Sequence, residues 1–121
     1  MRVAVIGSKS FSRLDLVRQF INQLPWTDVV IVGRARGVAT AAELAARKRR
    51  MVIELIVPDW RRYGRKAAVV RNCEVVENAD WIVAFWDGKS REVLRSIELA
   101  DKLSKPLYLV IEVTDGTATV S

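Results

Sequence analysis

Residues 81 to 90 read Trp81-Ile82-Val83-Ala84-Phe85-Trp86-Asp87-Gly88-Lys89-Ser90. The first part is apolar without alternation, which is typical of a β-strand covered on both faces. Asp87-Gly88 then indicates a turn, and from Ser90 to Leu103 apolar residues recur at helical spacing. The stretch therefore predicts a strand, a tight turn and a helix, which is the repeating unit of α/β proteins.

The same order recurs along the whole chain. Apolar, β-branched runs predict strands at residues 3–6, 29–32, 52–57, 81–85 and 107–111. Amphipathic stretches predict helices at residues 12–24, 38–49, 64–78 and 90–103, the first opened by a capping box of Ser12 and Asp15. Because strands and helices alternate, right-handed crossovers should build an α/β fold, a three-layer Rossmann-like sandwich with a five-stranded, mainly parallel sheet.

The length of 121 residues predicts one domain, which we place at residues 1–113. Residues 114–121 have two alternatives, a tail or an edge hairpin, because Asp115-Gly116 suits a two-residue turn. No apolar run approaches the ~20 residues of a membrane span, so we expect a cytoplasmic protein without membrane contact. The single cysteine, Cys73, and the absence of histidine argue against a disulfide framework and a metal site. We assign no metal, cofactor or catalytic residue.

Positive charge is concentrated in one part of the chain. Residues 34–71 hold eleven Lys and Arg against three Asp and Glu, a balance of +8, and the remainder carries −2. A cationic surface of this kind attracts phosphate-bearing ligands, nucleotides or nucleic acid. For Arg47-Lys48-Arg49-Arg50 a second explanation is open, because cations are favoured where a helix ends.

Three loops combine glycine with a cation or hydroxyl immediately before a predicted helix. They are Gly7-Ser8-Lys9-Ser10, Gly33-Arg34-Ala35-Arg36-Gly37 and Asp87-Gly88-Lys89-Ser90, each after a predicted strand. Carboxyl ends of parallel strands share one sheet edge, where helix N-termini attract anions. These loops therefore predict a phosphate-binding site, although each glycine alone is explained equally well by a turn. No complete dinucleotide fingerprint or phosphate loop is present, which argues against dinucleotide oxidoreductases and nucleoside triphosphatases.

At these loops the sequence resembles the SLOG superfamily, which includes cytokinin-activating phosphoribohydrolases and the DNA-processing protein DprA/Smf, and within it the small YspA-like proteins. The likeness covers nearly the whole chain and rests on Val3-Ala4-Val5-Ile6-Gly7-Ser8, Val32-Gly33-Arg34-Ala35-Arg36-Gly37, Asp59-Trp60-Arg61-Arg62-Tyr63-Gly64-Arg65, Val70-Arg71-Asn72 and residues 79–90. It implies a pocket for a nucleotide-derived small molecule. The candidate lining residues are Gly7, Ser8, Lys9, Gly33, Arg36, Gly37, Arg71, Asn72, Asp87, Gly88, Lys89 and Ser90.

The chain departs from that pattern where the phosphoribohydrolases carry out catalysis. Their Gly-Thr is replaced by Glu92-Val93, and Ser96 stands at the position of their catalytic glutamate. Glu98 lies about 200° around the helix from Ser96 and cannot substitute. Arg71 corresponds to their arginine, which without the carboxylate binds and does not hydrolyse. For Asp87 we favour a helix cap or a ribose contact over a general base.

The leading hypothesis is a binding module for a nucleotide-derived molecule, for example a sensor. One alternative is nucleic-acid binding through residues 34–71, where Trp60 and Tyr63 either stack on bases or only pack the fold. Another is a residual phosphoribohydrolase. The resemblance also implies a homodimer or higher homo-oligomer.

Overall fold

A computed structural model describes residues 1–112 and 118–120. Its sheet has the strand order β3-β2-β1-β4-β5-β6. The strands are β1 (Arg2–Gly7), β2 (Val29–Gly33), β3 (Val52–Ile56), β4 (Trp81–Trp86), β5 (Leu107–Glu112) and β6 (Ala118–Val120). Strands β1 to β5 are parallel, which confirms the Rossmann-like prediction.

The short strand β6 runs antiparallel to β5 at the sheet edge, with Val120 opposite Val110. It corresponds to the edge strand that the sequence offered as one alternative to a tail. The turn predicted at Asp115-Gly116 lies outside the described residues. The domain boundary at residue 113 stays a prediction.

Helices cover both faces of the sheet. They are α1 (Leu14–Gln23), α2 (Val38–Lys48), α3 (Trp60–Tyr63), α4 (Ala67–Asn78) and α5 (Arg91–Lys102), with a 3-10 turn at Gly64–Lys66 between α3 and α4. On one face, Ile21 of α1 and Ala42 of α2 pack in a core with Val30 and Val83. On the other face, Val76 of α4 and Ala100 of α5 belong to a second core. One core lies on each face of the sheet, between the sheet and a layer of helices, which gives the three layers that the sequence predicted.

The sheet has its switch point between β1 and β4. From β1 the chain proceeds outward through β2 to β3, then crosses back and continues outward on the other side through β4 to β5. The adjacent carboxyl ends, Gly7 of β1 and Phe85 of β4, lie in register beside each other. Ligands of open α/β sheets bind in the crevice beyond such a point, because the flanking loops diverge there.

Two local predictions were wrong in detail. The capping box at Ser12 is absent, because its hydroxyl and its N–H both donate to the carboxylate of Glu112, and the helix begins only at Leu14. The third predicted helix is preceded by the extra helical turn α3, whose first turn is capped by Asp59 accepting from the Arg62 N–H at 3.1 Å. The hydrophobic periodicity of the sequence does not reveal either of these hydrogen bonds.

Candidate functional site

A cleft of about 350 Å³ opens at the switch point, between the carboxyl ends of β1 and β4 and the beginning of α5. The three glycine-containing loops meet there, which is the arrangement that the predicted phosphate-binding site requires. Seven of the twelve predicted residues line the cleft: Gly7, Lys9, Gly33, Arg71, Asn72, Asp87 and Ser90.

The other five predicted residues are Ser8, Arg36, Gly37, Gly88 and Lys89, and none of them lines the cleft. Ser8 is 1% exposed and its hydroxyl accepts from the Asp87 N–H at 3.1 Å, so it ties the first loop to the third. Gly37, with φ +77°, begins α2. Arg36, Gly88 and Lys89 are exposed. A loop's residue types do not reveal which way each side chain points, so the sequence alone could not separate these five residues from those that line the cleft.

Arg71 forms the cationic wall of the cleft. Only 8% of the residue is exposed. Its Nε and Nη2 donate to the Asn72 side-chain oxygen at 3.1 and 3.0 Å, and its Nη1 donates to the Arg34 carbonyl at 2.5 Å. Three of the five guanidinium N–H groups are thereby used, which leaves two for a ligand.

Arg71 forms no ion pair with any carboxylate of the described residues. Burial lowers its pKa, and the negative charge of Glu92 partly opposes that shift. A desolvated cation without a bonded counter-ion is costly, and an anion entering the cleft would remove much of that cost. The arrangement is therefore suited to holding a phosphate or carboxylate group.

Asp87 organises the rim. Its carboxylate accepts hydrogen bonds from the Lys89 N–H at 2.8 Å, the Ser90 N–H at 2.7 Å and the Ser10 hydroxyl. Burial alone would raise the pKa of Asp87. The three hydrogen bonds to its carboxylate, together with the hydrogen bond between Asp87 and Ser8, outweigh burial and lower the pKa to about 2. So weak a base is poorly matched to proton abstraction at neutral pH. The Asp87 carboxylate thus holds the loop immediately before the Ser90 cap of the next helix, and the ribose contact that the sequence analysis also favoured stays a prediction.

The beginning of α5 supplies backbone donors. Ser90 caps the helix: its hydroxyl accepts from the Val93 N–H at 3.4 Å and its carbonyl accepts from the Leu94 N–H at 3.2 Å. Among the described residues, the N–H groups of Arg91 and Glu92 have no acceptor. Both residues line the cleft, so the positive end of the helix faces the same space as Arg71.

Sequence reasoning missed several lining residues. Ser10 belongs to the first predicted loop and Arg91 immediately follows the third, and this position was the only available signal. Glu92 and Ser96 also line the cleft, and the Ser96 hydroxyl donates to the Glu92 carbonyl at 3.2 Å. Cys73 lies partly buried on α4, and burial raises the pKa of its thiol.

The basic residues of 34–71 do not form one surface. Because α2 runs back from the carboxyl edge of the sheet to its amino edge, Arg47-Lys48-Arg49-Arg50 lie at the end remote from the cleft. Arg49 is structural, since its Nη1 donates at 2.5 Å to the carbonyl of Ile21, in the last turn of α1, and at 2.7 Å to that of Leu24, which ends the helix. The other basic residues of 34–71 lie at the carboxyl edge of the sheet, where the cleft opens: Arg34, Arg36, Arg61, Arg62, Arg65, Lys66 and Arg71.

Comparisons with known proteins give one relative and one fold neighbour. No family model matches the chain. The Gene 61 protein of Mycobacterium phage D29 is 31% identical over 116 aligned residues, which cover 88% of this chain and 93% of the phage protein. A solved structure of DNA processing protein A from Helicobacter pylori, described for its single-stranded DNA binding mode, superposes with a TM-score of 0.68 at 19% identity. That match covers 90% of this chain but only 64% of the neighbour, and it shows a shared fold.

The described residues contain no helix that is both long and apolar enough to cross a membrane.

Proposed function

The chain belongs to the same family as the Gene 61 protein of Mycobacterium phage D29, and we propose that it is a binding module that holds the phosphate group of a nucleotide-derived ligand in the cleft. The proposal includes membership of the SLOG superfamily, with the YspA-like proteins as the nearest group. One observation carries it: Arg71 is buried at the cleft without a carboxylate partner among the described residues.

The donors around the cleft suit a tetrahedral oxyanion. Arg71 offers two N–H groups, the first turn of α5 offers those of Arg91 and Glu92, and Lys9 adds an exposed ammonium at the rim. A guanidinium and a helix N-terminus both bind phosphate, the first through paired N–H donors and the second through free backbone N–H groups and the helix dipole. The cleft volume of about 350 Å³ falls within the range of ~300–1,000 Å³ for small-molecule sites, near its lower bound.

Binding without hydrolysis is part of the proposal. The position of the phosphoribohydrolase glutamate is Ser96, which is 5% exposed and bonded to the Glu92 carbonyl. The pKa of Asp87, the other acidic candidate, is lowered to about 2 by the hydrogen bonds that hold its carboxylate. Neither group is suited to activating water at neutral pH.

Isothermal titration calorimetry tests the proposal with AMP, ADP-ribose, inorganic phosphate and adenosine. The three phosphate-bearing compounds should bind, and adenosine should bind at least about tenfold more weakly. Arg71→Met should weaken AMP binding by about 10- to 100-fold, the equivalent of charge-assisted hydrogen bonds worth ~1.5–3 kcal/mol.

Arg36→Met is the matched control, because Arg36 is an exposed arginine of the same sheet edge outside the cleft lining. It should leave AMP binding unchanged. Circular dichroism establishes that each variant is folded, and Arg71→Lys, which keeps the charge, should lose less affinity than Arg71→Met. Absence of binding by the native chain, or equal losses at positions 36 and 71, would refute the proposal.

A second candidate function is nucleic-acid binding. The observation that favours it is Trp60, 59% exposed, immediately before the exposed Arg61 and Arg62. Exposed aromatic rings interleaved with arginine bind single strands by stacking and charge. Affinity for single-stranded DNA that falls steeply with added salt would support this candidate. The homo-oligomer stays a prediction, to be measured by light scattering.

A further inference from the structure

Residues 60–66, here named the Trp60 segment, present aromatic and cationic groups together at the cleft edge of the sheet. Arg61, Arg62, Arg65 and Lys66 are exposed, and none forms an ion pair with a carboxylate of the described residues. The Arg62 guanidinium stands 5.1 Å from the centre of the Tyr63 ring. The neighbouring Asp59 is engaged in capping α3. The segment is therefore a net cationic platform with an exposed indole ring.

The Trp60 segment lies at the same sheet edge as the cleft, although none of its residues lines the cleft. The Trp60 segment leads directly into α4, which carries Arg71 about 7.5 Å along the helix axis from Lys66. Arg34 links the end of β3, four residues before the Trp60 segment, to Arg71: its N–H donates to the Ile56 carbonyl, and its carbonyl accepts from Arg71. The Arg34 side chain is exposed. A nucleic-acid backbone that leaves the cleft towards the Trp60 segment would therefore meet further cations, those of Arg34 and of the segment itself.

The cleft admits the end of a chain more readily than its interior. Arg71 is 92% buried, since 8% is exposed, so a phosphate must enter the cleft to reach it. An internal phosphodiester would need room for a nucleotide on both sides, and a cleft of about 350 Å³ lies near the lower bound of ~300–1,000 Å³ for sites that hold one small molecule. A terminal monoester also carries about −1.5 to −2 charges at pH 7 against about −1 for a diester, which strengthens its attraction to Arg71.

We propose that the cleft takes the terminal phosphate monoester of a single-stranded nucleic acid whose adjoining nucleotides lie on the Trp60 segment. This inference rests on the proposed phosphate-binding function and names its substrate class. The donors around Arg71 contact oxygens of the monoester, while Trp60 stacks on a base and the arginines contact the backbone.

Fluorescence anisotropy tests it with oligothymidylates about ten nucleotides long, within the ~4–16 nucleotides of single-strand sites. The oligonucleotides carry an internal dye and a 5′-phosphate, a 3′-phosphate or hydroxyls at both ends. Either the 5′-phosphorylated or the 3′-phosphorylated form should bind at least about tenfold more tightly than the hydroxyl form. The form that does so shows in which direction the strand runs from the cleft. Equal affinity of all three forms, or no binding, overturns the inference.

Variants separate the two contacts. Arg71→Met should abolish the preference for the phosphorylated end, so that the three forms of the oligonucleotide bind alike. Trp60→Ala and Arg61→Ala should weaken all three forms by similar factors, about three- to tenfold each. Trp26→Ala is the matched control, an exposed tryptophan at the opposite edge of the sheet, and should change nothing. An end preference that survives Arg71→Met also overturns the inference.

The calorimetry with AMP keeps this inference distinct from the proposed function. If AMP binds in an Arg71-dependent manner and the three oligonucleotides bind alike, the strand-end inference alone fails. If AMP binding does not depend on Arg71, both fail.

Discussion

Gly33 lies directly against the Arg71 side chain: a Cβ built on Gly33 would stand 2.9 Å from both Cδ and Nε of Arg71. No larger residue fits there unless the arginine moves. The backbone of β2 is thus the surface on which the guanidinium rests, and the bond from Arg71 to the Arg34 carbonyl fixes the far end of the side chain. The orientation of the cationic group depends on the absence of a side chain at position 33.

Gly33→Ala should therefore weaken phosphate binding with little loss of stability. The added methyl displaces the flexible Arg71 side chain, and we expect AMP affinity to fall about tenfold by calorimetry. Gly7→Ala is the contrasting variant, because its Cβ would stand 2.4 Å from Val38 Cβ at the start of α2. It should destabilise the fold by about 1–3 kcal/mol in urea unfolding. Unchanged AMP affinity in Gly33→Ala would contradict the role given to Arg71.

Glu92→Gln should strengthen phosphate binding. Its carboxylate lines the cleft and is close enough to influence Arg71, so it repels an incoming anion. Because Glu92 is exposed, solvent screens the effect, and we expect a gain of about two- to fivefold in phosphate affinity at low salt. The gain should shrink as salt rises. Glu98→Gln, an exposed glutamate of the same helix outside the cleft lining, is the control and should show no gain.

Asp87→Asn should remove part of the acid sensitivity of the fold. The folded pKa of about 2 lies below the ordinary value of 3.8, so the charged form stabilises the native state. That stabilisation is complete above about pH 4 and is lost as pH falls from about 4 to about 2. After allowance for solvent screening it amounts to about 1–2 kcal/mol.

Urea unfolding at pH 7 and pH 2.5 measures this contribution. The native chain should lose more stability between these pH values than Asp87→Asn does. Asp101→Asn, which changes an exposed carboxylate of α5, should behave like the native chain. An identical pH dependence in Asp87→Asn would show that the loop hydrogen bonds do not hold the charge.

Arg49→Met should destabilise the protein although it removes one of four consecutive basic residues. The change deletes both hydrogen bonds to the carbonyls of Ile21 and Leu24, and we expect a cost of about 1–3 kcal/mol in the free energy of unfolding. Lys48→Met, in the same basic stretch and exposed, should stay within about 0.5 kcal/mol of the native value. Equal effects of the two substitutions would mean that the Arg49 bonds contribute nothing.

Much of the site could be predicted because loop placement follows from strand direction. Once β1, β2 and β4 are parallel, the loops after them must share an edge, and Gly7, Gly33 and Asp87 come together. The orientation of individual side chains could not be predicted in this way. Arg36 and Lys89 belong to the correct loops, but they lie outside the cleft. Arg71 was placed in the site by resemblance, and its missing counter-ion became visible only in three dimensions.

The sequence by itself determined the α/β architecture, since hydrophobic periodicity and strand–helix alternation are local properties that few topologies satisfy. It also determined which sheet edge carries the glycine-containing loops. Only the tertiary structure decided that Ser12 bonds to Glu112, that Arg49 supports α1 and that Arg71 is desolvated beside Gly33. Those contacts join residues 25 to 100 positions apart in the chain, and they form only after the sheet and its helices have packed, so no local pattern encodes them.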